Sequence, residues 1–396
     1  MINNQISKLN SNFKRSPVFY ITISLFLIFL PIFYKLTFYT HLDFTAHVNQ
    51  TIQFLETGYW RPNFLYYFLI ATLSFFSASS AQLYLSTTLV MSISLAYKYH
   101  LTGKIFSSLV TSNNNFFKAV LALSLIFVFS LPVAYNHWYL GQLPPNVWHN
   151  STTIFLMPFA ILLFWNSWQF AIIGSNRFFY FTLLFSLINI LIKPSFVFCF
   201  IFIYPIWLWW KAGFSNRLWK GIFIVTISIL LILSQYAVLY FYPESKEALS
   251  GNTGGVKITL FHVWGKYSGN ILRSFLLSIP FPIAVLSKYY KAAFRSDLFL
   301  YSLGLFLVAI IIFSVLTETG AREFHGNFMW QTIICNYLFY LMCLVIFVQE
   351  SKLGKYFPRK LKKISTPDKI IILFFCLQFL IGIAYLLRIL IRGSYS

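Results

Sequence analysis

Acidic side chains are scarce in this chain of 396 residues, in which nine Asp and Glu stand against thirty Lys and Arg. Only 10% of the residues are charged, whereas about a quarter are charged in an average soluble domain. Hydrophobic residues make up 58% of the chain. These proportions exclude a cytosolic globular enzyme, a disordered tail and a nucleic-acid-binding protein. They predict an all-α polytopic membrane protein.

Paired cysteines and a cleavage signal are also missing. The four cysteines lie inside apolar runs without paired spacing, so we expect neither a disulfide framework nor a thiolate metal site. The sequence indicates no metal ligands, and it leaves open whether the protein uses a divalent cation as a cofactor. No small-residue cleavage site follows the first apolar run, and we therefore expect that run to be a retained first helix.

Apolar runs near the length of a membrane span, roughly 17–25 residues, recur along the chain. We expect eleven to thirteen transmembrane helices, with short interfacial helices in the first outer loop. The stretch from Asn63 to Lys98 is too long for one helix and gives two short ones when it is split near Ser77 to Ser80. One half of it, or the proline-containing run 274–287, is therefore expected to be re-entrant or interfacial.

Basic residues cluster between the apolar runs, and seven of them lie from Lys352 to Lys369. Loops rich in Lys and Arg stay in the cytoplasm and contact anionic membrane lipids.

The abundance of Phe, Ile, Asn and Lys, with little Ala, is typical of an AT-rich bacterial genome. We expect an integral protein of the bacterial plasma (inner) membrane with its active site facing outward. One transmembrane domain would span 1–396, with a cytoplasmic N-terminus (1–16), a first outer catalytic loop (39–62), an outer polar loop (135–151), an outer mobile flap (243–273) and a basic cytoplasmic loop (350–369).

The outer side carries six of the nine acids on this topology, and Asp43 is the one aspartate among them. A helix through this segment would place Asp43 and His47 on one face, with His41 near the membrane edge. A carboxylate hydrogen-bonded to a histidine at the mouth of a membrane cavity can deprotonate an acceptor hydroxyl. Asp43 and His47 are therefore the candidate catalytic residues, the alternative being a solvated loop acid. Glu56, in the same loop, is a candidate for binding the sugar or the acceptor.

The segment from His137 to Thr152 interrupts two long apolar runs with Gly, Pro and many neutral polar groups. Amide and imidazole groups hydrogen-bond sugar hydroxyls, and aromatic rings stack on a sugar face. As an alternative, Gly and Pro make a turn, and Trp and Tyr favour the membrane interface. The candidate sugar-binding or acceptor-binding residues of this segment are Gln142, Asn146, Trp148 and His149.

Lys193 lies inside an apolar run, where a free ammonium costs at least about 2.5–3.5 kcal/mol. The adjoining Pro194 breaks the helix and places Lys193 near the outer boundary, where it either meets a lipid phosphate or snorkels. Arg322 suits bidentate phosphate recognition, or pairs with Glu318 four residues earlier. His325, in the same cluster, is a further candidate for binding the sugar or the acceptor.

The order of these features resembles the GT-C superfamily of membrane glycosyltransferases. Its members carry a catalytic aspartate just after the first helix, where this chain has Asp43 within LDFTAH, and then a proline-containing entry to the next helix, here Trp60 to Tyr67. The pattern is most similar to the polyprenol-phosphate-mannose-dependent branch, whose Gly-Gln-x-Asn and Lys-Pro elements correspond to Gly141-Gln142 and Lys193-Pro194. Asn146 departs from that pattern, since it follows Gln142 by four positions.

This resemblance implies a GT-C-like fold and an inverting sugar transfer on the outer face. The aspartate would deprotonate the acceptor hydroxyl, which displaces polyprenyl phosphate from the anomeric carbon. Lys193, Arg322 and Arg61 would hold the departing phosphate. The implied partners are a polyprenyl-phosphate sugar donor and a lipid or glycan acceptor.

Two other functions stay open from the sequence. A polysaccharide polymerase or ligase would use a polyprenyl-diphosphate oligosaccharide and rely on outer arginines and histidines. A lipid or polysaccharide transporter would need no chemistry at all. Transporters often show internal repeats and ionisable residues at the bilayer midplane. Neither feature is visible here, which favours an enzyme.

Overall fold

The computed structural model describes residues 16–40, 42–112, 114–133, 139–241, 255–351, 353 and 364–394. Nearly all regular structure in these residues is helical, which confirms the all-α class. The helices are α1 (Pro17–Phe38), α2 (Asp43–Thr57), α3 (Leu65–Leu73), α4 (Ser80–Leu109), α5 (Asn115–Leu125), α6 (Ser151–Ile173), α7 (Asn176–Ile192), α8 (Ser195–Ala212), α9 (Asn216–Phe241), α10 (His262–Tyr267), α11 (Ile271–Ser278), α12 (Pro280–Ala293), α13 (Asp297–Val315), α14 (Trp330–Glu350) and α15 (Thr366–Arg392). Strands β1 (Val256–Ile258) and β2 (Leu316–Glu318) form a small ribbon.

Seven helices in the described part of the chain are long and apolar enough to cross a membrane. An eighth span arises if α11 and α12, which meet at a bend of 68°, count as one broken helix. The protein is therefore an integral membrane protein. Three further helices would give the expected eleven: α5 and α7 are short, with 11 and 17 residues, and α4 is long but rich in hydroxyl groups and two lysines. The full number of crossings stays a prediction.

Helices α1 and α4 pack side by side in opposite directions. Thr37 and Thr88 share a hydrogen bond of 2.8 Å near one end of the pair, and Thr22 lies 3.3 Å from the His100 ring near the other. The end that carries the C-terminus of α1 and the N-terminus of α4 is called the site end below. The opposite end is called the basic end.

The ambiguous stretch that begins at Asn63 is broken between Ser74 and Ser79, close to the expected position. Helix α3 has nine residues and extends only about 14 Å, so it is too short to cross a bilayer. Helix α4, with 30 residues, runs from the site end to the basic end. This stretch therefore supplies the short helix α3 at the site end and the start of the long helix α4, which runs to the basic end.

The described residues between α5 and α6, 126–133 and 139–150, are not helical, and yet all of 139–150 are buried. Buried backbone groups away from water must be hydrogen-bonded within the protein. The Leu143 N–H donates to the Ser278 hydroxyl (2.9 Å), and the Asn336 amide donates to the Leu143 carbonyl oxygen (2.6 Å). The described part of the expected outer loop 135–151 is therefore an internal segment, because surrounding helices supply its hydrogen-bond partners.

Helix α14 forms the centre of the protein. Every residue from Trp330 to Val348 is buried, and α4, α6, α8, α12 and α13 pack around it. A helix that is apolar on all sides is stable only where other helices or lipid cover it completely. The core of the bundle therefore surrounds α14, whose N-terminus lies at the site end.

The ribbon anchors the segment that was expected to be a mobile flap. Strands β1 and β2 pair antiparallel, with Val256 opposite Glu318. The indole of the buried Trp264 donates to the Gly141 carbonyl oxygen (3.1 Å), and the Tyr267 hydroxyl donates to a carbonyl oxygen of the segment after β2 (2.8 Å). The described part of 243–273, which starts at residue 255, is therefore fixed to the bundle, and residues 243–254 lie outside the described part.

Basic side chains gather at the basic end, where α8, α9 and α12 begin or end. Lys211 pairs with Asp297 (2.5 Å), and Lys288 pairs with Asp368 (2.7 Å). Arg217 instead donates to two carbonyl oxygens in the last turn of α6. Such contacts stabilise the C-terminus of a helix, whose carbonyl groups carry a partial negative charge. Most of the basic segment 350–369 lies outside the described residues.

A close contact between α15 and the chain after α5 gives a test of the packing. A Cβ atom added at Gly382 would lie 1.4 Å from the backbone oxygen of Phe127. We expect Gly382→Ala to lower the free energy of unfolding by about 1–3 kcal/mol, because backbone must move to admit the methyl group. Thermal unfolding of the purified protein in detergent measures this change.

Gly304→Ala is the matched control in another apolar helix. Its added Cβ atom would make only ordinary contacts of 3.4 Å with the Ile203 side chain. Equal melting temperatures for the two variants would contradict the packing of α15 described above.

Candidate functional site

Asp43 is the first residue of α2, and its carboxylate meets the N-terminus of a second helix. Its Oδ2 atom accepts a hydrogen bond of 2.8 Å from the Asn150 amide. The oxygen of the same amide caps α6 by accepting from the Thr153 backbone N–H (3.0 Å). Negative charge is favourable at helix N-termini, where N–H groups lack partners within the helix. One side chain thus fixes the position of both the Asp43 carboxylate and the start of α6.

His47 lies one turn after Asp43 on α2, as expected, but the two side chains have different partners. The Nδ1 atom of His47 lies 2.9 Å from the Tyr67 hydroxyl on α3. Burial lowers the pKa of His47 to about 4, with nearby Lys193 and Arg61 adding to the effect and Asp43 opposing it. His47 is therefore neutral at neutral pH. The expected bond between Asp43 and His47 is replaced by the bond from Asn150.

Arg61 lies between α2 and α3 and faces the same site. With its amide oxygen turned toward the guanidinium, Gln50 accepts from Arg61 at 2.8 Å and donates to Tyr67 at 2.7 Å. Burial lowers the pKa of Arg61, and nearby Arg322 lowers it further. The partner of this arginine among the described side chains is thus a neutral amide. Its charge remains available to an anion.

Lys193 joins α7 to α8 and points toward the start of α6. Its ammonium donates to the Thr153 hydroxyl (3.2 Å) and lies 4.1 Å from the centre of the Trp330 ring. Burial lowers the pKa of Lys193 to about 7, and Arg322 adds to this effect, while Asp43 and Glu318 oppose it. These groups act on one another's charges, so they belong to a single site.

Arg322 follows β2 and lies near Glu318. Its Nε atom is 3.7 Å from the Glu318 carboxylate, which also accepts a hydrogen bond from the Asn327 amide. A separation of 3.7 Å is longer than a strong bidentate contact. Arg322 lowers the pKa values of both Arg61 and Lys193, and so it completes a group of three neighbouring cations.

Three of the residues expected to bind sugar pack inside the protein instead. The Trp148 ring stacks on Phe29 of α1, with 5.5 Å between ring centres. Gln142 donates to the Leu131 carbonyl oxygen, which precedes this segment. The Asn146 amide donates to two carbonyl oxygens, and its oxygen accepts a hydrogen bond from the Lys98 ammonium (2.5 Å). These side chains hold the buried segment in place, which polar composition alone did not reveal.

Among the remaining expected residues, His149 is fully buried. The His149 ring packs 4.3 Å from the Tyr139 ring, and both Asp43 and Lys193 influence its pKa, which burial lowers to about 4. Glu56 and His325 are exposed. Glu56 lies on the side of α2 away from Asp43 and His47, because thirteen residues correspond to more than three and a half helical turns. His41 and His137 lie outside the described residues.

Several residues of the site were missed by the sequence analysis. Gln50 follows Asp43 by seven positions, so the 3.6-residue period of α2 would have placed it on the same face. Lys98 carried a signal too, since a lysine within an apolar helix usually has a specific partner. Nothing in the sequence indicated that Trp330 lies beneath Lys193.

No family model, curated protein or solved structure matches this chain. The described residues contain no group of three or more His, Cys, Asp or Glu that could hold a metal ion. The function must therefore be argued from the arrangement of one carboxylate and three cations at the site end.

The double role of Asn150 gives a test of the site geometry. We expect Asn150→Ala to lower the free energy of unfolding, because both the cap of α6 and the bond to Asp43 are lost. Loss of a cap costs about 1 kcal/mol, and the bond to a carboxylate adds about another 1 kcal/mol. Chemical or thermal unfolding in detergent measures the change.

Asn114→Ala provides the control, because Asn114 caps α5 by accepting from the Phe117 N–H (2.9 Å) and is only half-buried. This variant removes a cap alone. If both variants lose the same stability, the bond between Asn150 and Asp43 does not form in the protein.

Proposed function

We propose that the protein is a membrane glycosyltransferase that moves a sugar from a polyprenyl-phosphate donor to a lipid or glycan acceptor. The observation that carries this proposal is the group formed by Asp43, Arg61, Lys193 and Arg322. A carboxylate can accept a proton from a hydroxyl, and clustered cations can hold a phosphate. Sugar transfer from a phosphate-linked donor needs both functions within one site.

The reaction assigns one role to each side of the site. Asp43 accepts the proton of the acceptor hydroxyl as the oxygen of that hydroxyl forms a bond to the anomeric carbon of the donor sugar. The bond between that carbon and the phosphate oxygen breaks, and its electron pair stays on the departing polyprenyl phosphate. Arg61, Lys193 and Arg322 stabilise the developing negative charge. Attack from the side opposite the phosphate inverts the anomeric configuration.

The position of Asp43 supports its role as the base. The Asn150 amide holds one carboxylate oxygen, and the start of α2 places the group at the edge of the helix bundle. A fixed base reduces the entropy lost on reaching the transition state. His47 is neutral and hydrogen-bonded to Tyr67. It therefore serves as a hydrogen-bonding group beside the base and does not supply a proton to it.

A lipid-linked donor agrees with the architecture. The site lies where α2, α6 and α8 begin, at one end of a bundle of apolar helices, so a polyprenyl chain can stay in the bilayer while its phosphate reaches the cations. The basic end lies opposite and carries the clusters that favour the cytoplasm. The proposed orientation is therefore outward-facing, in the bacterial plasma membrane.

Replacement of the base gives the main test. We expect Asp43→Asn to lower the transfer rate from a synthetic polyprenyl-phosphate monosaccharide by at least about a hundredfold, since an amide cannot accept the proton. Products are followed by mass spectrometry of lipids from proteoliposomes, with a panel of hexose and pentose donors.

Glu350→Gln makes the same chemical change at an exposed position of the basic end and is the control. Both variants must reach the membrane at wild-type level. Undiminished transfer by Asp43→Asn would exclude Asp43 as the base.

The lowered pKa of Lys193 predicts a pH dependence. The charged ammonium binds the donor phosphate, and it loses its proton as the pH rises through about 7. We therefore expect kcat/KM to fall above pH 7, because this quantity reports the ionisation of the free enzyme. In Lys193→Arg, whose side chain keeps its charge, the fall should disappear. An unchanged profile in that variant would show that Lys193 is not the titrating group.

The presence of three cations also favours a second donor class. A diphosphate carries more negative charge than a monophosphate, so a polyprenyl-diphosphate oligosaccharide suits the same cluster. The two functions differ in their product. Transfer of a single sugar from the monophosphate donor supports the glycosyltransferase, and transfer of an oligosaccharide from the diphosphate donor supports a polymerase or ligase.

A further inference from the structure

A cavity of about 630 Å³ lies toward the basic end, between α4, α6, α7 and the start of α13. Its lining on α6 begins at Leu162, about 16 Å along the helix from Ser151 at the site end. None of its lining residues belongs to the candidate site. The volume lies within the range of about 300–1,000 Å³ that is typical of small-molecule sites. The cavity is therefore a separate feature and large enough for a specific ligand.

The walls of this cavity are aromatic and its rim is basic. Lys104 of α4 and Arg177 of α7 line it together with five aromatic side chains, namely Trp165, Trp168, Phe178, Phe181 and Phe185. The Arg177 guanidinium lies 5.6 Å from the centre of the Phe181 ring. Aromatic rings next to cations at a helix end are typical of the level of lipid headgroups.

The charges on the rim favour an anion. The one acid in the lining, Asp297, is paired at 2.5 Å with Lys211, which is not part of the lining. This pairing neutralises the carboxylate. Lys104 and Arg177 therefore leave the rim with net positive charge.

We propose that this cavity binds an anionic phospholipid. The phosphate lies at the rim with Lys104 and Arg177, and the upper part of one acyl chain lies along the aromatic wall. The ligand fits these features jointly, since neither a free anion nor a neutral lipid would use both the cations and the apolar wall. This site is independent of the proposed sugar transfer.

Native mass spectrometry of the full-length protein in detergent tests the proposal. Delipidated protein is titrated with phosphatidylglycerol and with phosphatidylcholine of the same acyl chains, and a polyprenyl monophosphate forms a third arm. We expect phosphatidylglycerol to bind more tightly than phosphatidylcholine. Lys104→Gln combined with Arg177→Gln should weaken that binding about tenfold, the usual effect of losing a charge-assisted contact.

Lys291→Gln removes an exposed cation at the basic end that does not line the cavity, and it should leave binding unchanged. The polyprenyl monophosphate gives a further outcome. If it binds more tightly than phosphatidylglycerol and the double variant loses that binding, the same phosphate site is supported and its ligand is the polyprenyl phosphate.

The proposal is overturned by equal binding of the two phospholipids. It is also overturned if the double variant retains wild-type affinity or if Lys291→Gln weakens binding equally. A variant that loses sugar transfer but keeps phospholipid binding, or one that loses phospholipid binding but keeps sugar transfer, separates this site from the proposed function.

Discussion

The structure depends on one constraint: the buried non-helical backbone of residues 139–150 must find its hydrogen-bond partners inside the bundle, because the apolar surroundings offer no water. The Asn336 amide meets part of this need by donating to the Leu143 carbonyl oxygen. The Asn146 side chain also holds the segment to the bundle, because its amide donates to two carbonyl oxygens near the end of α5 and its oxygen accepts from Lys98. Because this segment is held at several points, its last residue, Asn150, can fix the Asp43 carboxylate. The geometry of the candidate site therefore follows from how a buried polar loop is satisfied.

The two ends of the bundle use their cations differently. At the basic end, Lys211 and Lys288 have aspartate partners, so much of the charge there is balanced within the protein. At the site end, Arg61 contacts a neutral amide, and Lys193 contacts a hydroxyl and an aromatic ring. Unbalanced cations in a partly buried position interact strongly with an incoming anion, because the local dielectric constant is low. This difference leaves Arg61 and Lys193 more available to an incoming anion than Lys211 and Lys288.

Much of the charged part of the site could be predicted, and most of its neutral part could not. Asp43, Lys193 and Arg322 stand out in the sequence because ionisable groups are rare in and beside apolar runs. Neutral polar residues carry no such signal, since an amide serves equally well for a sugar hydroxyl or a buried carbonyl group. Gln142 and Asn146 perform the second task. Similarly, a tryptophan between two apolar runs fits both a membrane interface and the core, and Trp148 packs in the core.

The sequence by itself determined the class of the protein, the break before Ser80 and the side chains that could carry charge. These features follow from composition and from a helical period that repeats over a few residues. Only the tertiary structure decided which groups meet. Asn150 reaches Asp43 from 107 positions away, and Lys193 reaches Thr153 from 40. Such pairs are selected by how whole helices pack, and that packing depends on shape and on satisfying buried polar groups across the bundle, which no local pattern records.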